Sequence, residues 1–121
     1  MNYIKEMNAF YDYMEKNSLS SSAIALWFAL MHINNKPRWK ETFTVAGTVL
    51  RYKSGLKETS FKRARKELVD KGYIIYEAGE PGRAPSYQMV SFIELWEEKQ
   101  VSTYHDSEPV HYYETYFGNL K

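Results

Sequence analysis

The side chains with the clearest chemical potential in this sequence are cations packed close together: Lys57, Lys62, Arg63 and Lys66, with the hydroxyls of Thr59 and Ser60 between them. Residues at this spacing suit a polyanion. Arginine presents a planar fork that can pair with a guanine edge, whereas lysine is a point charge that neutralises phosphate without reading sequence. The total charge hides the feature, because sixteen Lys and Arg against fifteen Asp and Glu leave +1. Residues 50–71 hold eight cations against three carboxylates, a balance of +5, and residues 94–121 hold two against six, a balance of −4. A basic centre is followed by an acidic tail.

Residues for covalent or metal chemistry are sparse. With no cysteine there is no thiol nucleophile, no disulfide framework and no thiolate zinc site, which fits a reducing, cytoplasmic address. The glycine-rich residues 79–85 lack the Lys-Ser/Thr pair that completes a phosphate-binding loop. There is neither a nucleophile elbow nor a paired-histidine zinc motif. His105, Asp106, Glu108 and His111 form one metal-like cluster, but Pro109 interrupts any helix that could align them. His32, between Met31 and Ile33, reads as a hydrogen-bonded residue at the core edge. The expectation is a chain with no catalytic residue, no metal and no cofactor, and thus not an enzyme.

A chain of 121 residues, 44% hydrophobic and 26% charged, has material for one compact core. The longest mainly apolar run, residues 23–33, is well short of the roughly 18–20 residues that span a bilayer, so no membrane association is expected. Steps of three and four among Ile4, Met7, Phe10, Tyr11 and Met14 predict a first helix with one apolar stripe. Ser20, Ser21 and Ser22 can cap a second helix, apolar on nearly every side from Ala23 to Met31 and ended by Pro37. A short extended piece around Phe43 follows, then Thr44 as the cap of a third helix over residues 45–53 with Val45, Val49 and Leu50 inward. Gly55 breaks the chain. A fourth helix over residues 58–71 puts Phe61, Ala64 and Leu68 on one face, and Gly72 ends it. Residues 73–76 and 86–92 read as two strands joined by a Gly/Pro-rich loop.

This order, helices, then a helix-turn-helix, then a β-hairpin, predicts an α+β winged helix over residues 1–92, with residues 93–121 as a linker and C-terminal extension. At about 100° per residue, Thr59, Arg63, Lys66 and Asp70 lie opposite the Phe61 face, with Lys62 on one flank and Ser60 and Glu67 on the other. The second helix of such a motif enters the major groove with its N-terminal half. Arg63 is therefore expected to read a base, and Lys62 and Lys66 to hold phosphate, with Lys57 immediately before the helix. A lysine-rich face is also what a solvated surface looks like, and Asp70 and Glu67 weaken the basic character. Arg65 is nearer the core side and is expected to lay its stem over the core edge. Arg83, in Gly79-Glu80-Pro81-Gly82-Arg83, is where a wing would touch DNA, or is an ordinary turn charge. Arg38 and Lys40 beside Trp39 could add phosphate contacts.

Several stretches resemble the N-terminal winged-helix domain of DnaD-like replication proteins, including the phage replisome organisers of Gram-positive hosts. They are Asn8-Ala9-Phe10-Tyr11-Asp12, LSSSAIALWFALMHINNK over residues 19–36, Trp39 with Phe43-Thr44-Val45-Ala46, and SGL followed by TSFKRARKELVDKGYI. The similarity covers about residues 2–92. His111-Tyr112-Tyr113-Glu114-Thr115-Tyr116-Phe117-Gly118 looks like the opening of the C-terminal domain of the same family. The resemblance implies a role in initiating replication: binding double-stranded origin DNA, recruiting a replicative helicase or its loader, and self-association as a dimer or tetramer. The family often has a hydroxyl residue after Gly-Leu, whereas this chain has Lys57, which leaves capping to Thr59 or Ser60 or shifts the helix start by a residue or two. Two other functions share the same features: a protein–protein assembly module with little DNA contact, and a transcriptional repressor.

Overall fold

The computed structural model describes residues 2–35 and 41–93. The chain divides into two units, residues 1–90 and 91–121, and the elements below belong to the first. They are α1 (Tyr3–Met14), α2 (Ser21–Asn35), β1 (Phe43–Thr44), α3 (Gly47–Ser54), α4 (Glu58–Asp70), β2 (Ile74–Glu77) and β3 (Ser86–Met89). Among the described residues the fold is α+β: four helices with a three-stranded antiparallel sheet in the order β1-β3-β2.

Local chemistry sets the element ends. Asn2 caps α1 by accepting from the Lys5 amide at 3.1 Å, and Ser20 caps α2 by accepting from the Ala23 amide at 3.2 Å. Gly55 closes α3 in the left-handed region at φ 74°, a conformation in which a side chain would be strained, and its amide donates to Arg51 O at 2.9 Å. In the β2–β3 loop, the Arg83 amide donates to Glu80 O at 2.8 Å around Pro81 and Gly82 (φ 82°), the residue pattern of a type II turn.

α2 is the centre of the core. Leu26, Trp27, Leu30 and Met31 are buried on it, and α3 and α4 pack against it through Leu50 and through Phe61, Ala64 and Leu68. Trp27 stacks on Phe10 of α1 with ring centroids 3.8 Å apart, and Tyr73 meets the Phe10 ring edge-on at 5.5 Å. The sheet adds Phe43, Ile74, Tyr87 and Met89. Tyr87, on the central strand, sits opposite both Phe43 and Tyr76.

Five details differ from the sequence reading, one being that the second hairpin strand ends at Met89 rather than at residue 92. α1 buries Glu6, Ala9 and Phe10, while Ile4 and Tyr11 are 65% and 47% exposed. The Phe10–Trp27 stack sets the rotation of the helix, and Ile4 and Tyr11, about 100–120° around from Phe10, fall beyond that contact. α3 starts at Gly47 rather than Val45. Thr44 pairs with Ser86 and the Val45 amide donates to Pro85 O at 3.3 Å, so the chain stays extended through Ala46, and Val49 ends 40% exposed. The first hairpin strand starts at Ile74 because the Tyr73 amide is taken by Leu68 O at 2.8 Å. His32 is exposed rather than at the core edge.

Candidate nucleic-acid interface

α4 is amphipathic in the expected rotation: Phe61, Ala64 and Leu68 are 3%, 1% and 0% exposed, and Thr59, Lys62, Arg63, Lys66 and Asp70 are all on the exposed side. Lys57 occupies the N-cap position with extended backbone and no side-chain capping bond, and Phe61 N donates to its carbonyl at 2.8 Å. Thr59 and Ser60 are exposed residues of the first turn, and neither caps the helix. Thus α4 and its cap bring together six of the seven expected DNA-contacting residues: Lys57, Thr59, Ser60, Lys62, Arg63 and Lys66. Arg83 is carried separately, exposed at the end of the turn in the β2–β3 loop.

The electrostatics of this face are more compensated than its lysine count implies. Lys62 pairs with Glu58 at 3.1 Å, Lys66 with Asp70 at 2.6 Å, and Lys71 with Glu67 at 3.6 Å, each four residues apart on the helix. The Lys62 hydrogen bond and charge, with Arg51 from α3, hold the Glu58 carboxyl below its usual range. Exposed pairs of this kind contribute little to stability, so an anion such as phosphate can exchange for the carboxylate. Arg63 has no ion pair or hydrogen bond among the described residues.

Two flanking residues do structural work. Glu67 accepts from both the amide and the hydroxyl of Ser20 at 2.7 Å, fastening α4 to the start of α2. Burial pushes its carboxyl up, but the two Ser20 bonds and Lys71 outweigh that and hold it below the usual value. Lys71 Nζ donates to Ser18 O and Tyr73 Oη to Asn17 O, so the end of α4 is pinned to the α1–α2 connection. Arg65 behaves as expected of a core-edge residue. Its guanidinium lies 4.2 Å from the Tyr76 ring centroid and 5.0 Å from that of Phe61, and it reaches Tyr87 Oη at 3.5 Å. Burial raises the Tyr87 phenol, and Arg65 partly offsets the rise.

The sequence reading passed over the pairing of Lys62 and Lys66 and the anchoring role of Glu67. Four-residue spacing of opposite charges was the available signal for the pairs; nothing local points Glu67 at Ser20, 47 positions away. Among the described residues there is no group of His, Asp or Glu able to hold a metal, and no helix is long and apolar enough to cross a membrane. The His105–His111 cluster, Arg38, Trp39, Lys40 and the segment 111–118 lie outside the described residues. Neither protein-family models, nor curated proteins, nor solved structures give a match to this chain.

Proposed function

We propose that residues 1–92 are a DNA-binding winged-helix domain of a replication-initiation protein, with α3 and α4 as the helix-turn-helix, α4 as the helix that enters the major groove, and the β2–β3 loop as the wing. The observation that carries the reading is Arg63. It stands exposed on the outward face of α4 with no carboxylate partner among the described residues, while Phe61, Ala64 and Leu68 hold that helix on the core from behind. A guanidinium so placed is ready for a bidentate pair with a guanine. Lys57, Lys62 and Lys66 flank it for phosphate, Thr59 and Ser60 add hydroxyls at the N-terminal turn, and Arg83 supplies the wing contact. The replication role, as opposed to repression, and recruitment of a helicase or its loader rest on the DnaD-like resemblance alone. The test is a mobility shift with a pool of random duplexes followed by recovery and sequencing of the bound fraction. A shift with an enriched motif that Arg63→Ala abolishes is expected; no shift at any concentration up to aggregation refutes the reading.

A second reading, assembly with other copies or with replisome partners, is favoured by one observation. Ile4 and Tyr11, one pair of helical turns apart, extend the apolar arc of α1 out into solvent. Light scattering of the parent chain and of Ile4→Glu/Tyr11→Glu decides it: an oligomer that the double variant converts to monomer supports assembly through α1, and a parent chain that stays monomeric at high concentration removes it.

A further inference from the structure

α3 turns Leu50 fully into the core, so the residues two positions either side of it, Thr48 and Tyr52, are both about 160° away and form one outward line. Tyr52 is 85% exposed, the most exposed large apolar side chain among the described residues. Neither side chain makes a hydrogen bond or ring contact among the described residues, and the exposed Lys53, about 100° round the helix from Tyr52, has no ion pair there. The helix sequence, GTVLRYKS, holds two cations and no carboxylate, in contrast to α4 with its three. Arg51 is close enough to Glu58 to act on its carboxyl, which links the charged surface of α3 to the N-terminal turn of α4.

We propose that this outward line of α3 is a second contact to the same DNA: the hydroxyls of Thr48 and Tyr52 donate to backbone phosphates. The proposal rests on the reading of α4 as the groove-entering helix, since the preceding helix of such a motif crosses the sugar–phosphate backbone. What α3 offers there is the chemistry a phosphate accepts: two neutral O–H donors one helical turn apart, with no carboxylate on the helix to compete. The aromatic ring serves as a rigid arm that carries the hydroxyl clear of the helix. Because Tyr52 and Thr48 support nothing in the core, altering them leaves the fold intact.

The measurement is fluorescence anisotropy of a labelled duplex titrated with the full chain and with Tyr52→Phe, Tyr52→Ala, Thr48→Val and Arg63→Ala at several salt concentrations, alongside thermal melts. Loss of one hydroxyl bond to a charged phosphate predicts that Tyr52→Phe weakens binding by about tenfold. The slope of log K against log salt stays that of the parent, since no charge is removed. Melting temperatures stay unchanged. Parent-like affinity of Tyr52→Phe and Thr48→Val, with Arg63→Ala weakened, overturns the α3 contact and leaves the α4 reading standing. Weakening by Tyr52→Ala but not by Tyr52→Phe overturns the hydroxyl assignment in favour of the ring. A parent chain with no salt-dependent binding to duplex refutes the α4 reading and this contact with it.

Discussion

The cations proposed to hold phosphate make a quantitative prediction for salt. Lys57, Lys62 and Lys66 are three exposed cations proposed for phosphate, the wing contact of exposed Arg83 is counted as a fourth, and each phosphate neutralised adds about −0.9 to the slope of log K against log salt. The expected slope is about −3.6, so raising monovalent salt fourfold, from about 50 to about 200 mM, weakens duplex binding by about 150-fold. Lys66→Ala removes one of the four and lowers the slope to about −2.7, for which the same salt step costs about 40-fold. Its pair with Asp70 at 2.6 Å does not protect it, because both side chains are more than half exposed and the carboxylate is displaced by phosphate at little cost. Arg63→Ala behaves differently. If the guanidinium reads a base, its loss weakens binding by about 1–3 kcal/mol and relaxes sequence preference at one base pair, while the slope stays near −3.6. Anisotropy titrations at four or more salt concentrations separate the two signatures. A parent slope near zero, or a Lys66→Ala slope equal to that of the parent, refutes the assignment of α4.

Three other outcomes follow from the same geometry. Asp70→Asn releases Lys66 and removes a negative charge from the proposed interface, so duplex affinity is expected to rise several-fold, measured by the same titration. Phe10→Ala removes a fully buried ring stacked on Trp27 and lowers unfolding stability by about 3–5 kcal/mol in urea melts. The Tyr73 phenol is pushed up to about 12, chiefly by burial and further by Tyr13 and Glu67, so the folded state holds its proton more tightly than the unfolded chain does. Its contribution to stability is complete below the unfolded value of about 10 and is lost as pH rises from there towards about 12. Urea midpoints followed across that window decline in the parent, and Tyr73→Phe flattens the part due to this phenol.

Much of the scaffold was legible in the chain because it depends on local signals. The 3.6-residue period of Phe61, Ala64 and Leu68, the glycine after α3 and the Pro-Gly pair in the hairpin loop each act over a few residues, and each predicts its element within a residue or two. The outward orientation of Thr59, Arg63 and Lys66 follows from the same arithmetic once the core face is known. Where the reading slipped, a distant partner had intervened. Thr44 is a reasonable helix cap in isolation, yet Ser86, 42 positions later, draws it into a strand.

The first helix shows the division most plainly. Its apolar residues cover more of the circumference than one packing contact can bury, so periodicity established a helix but left its rotation open. Trp27 closed that question by stacking on Phe10, which consigned Ile4 and Tyr11 to solvent and Glu6 to the interior. Charge worked the same way: composition set the number of cations on α4, but which of them remains available depends on where side chains end up in space. Glu58 and Asp70 take Lys62 and Lys66, and Ser20 takes Glu67 from across the fold. Helical spacing is a property of neighbouring residues and can be read along a line. The availability of a charge is a property of everything within reach of it, and that is defined only once the chain has folded.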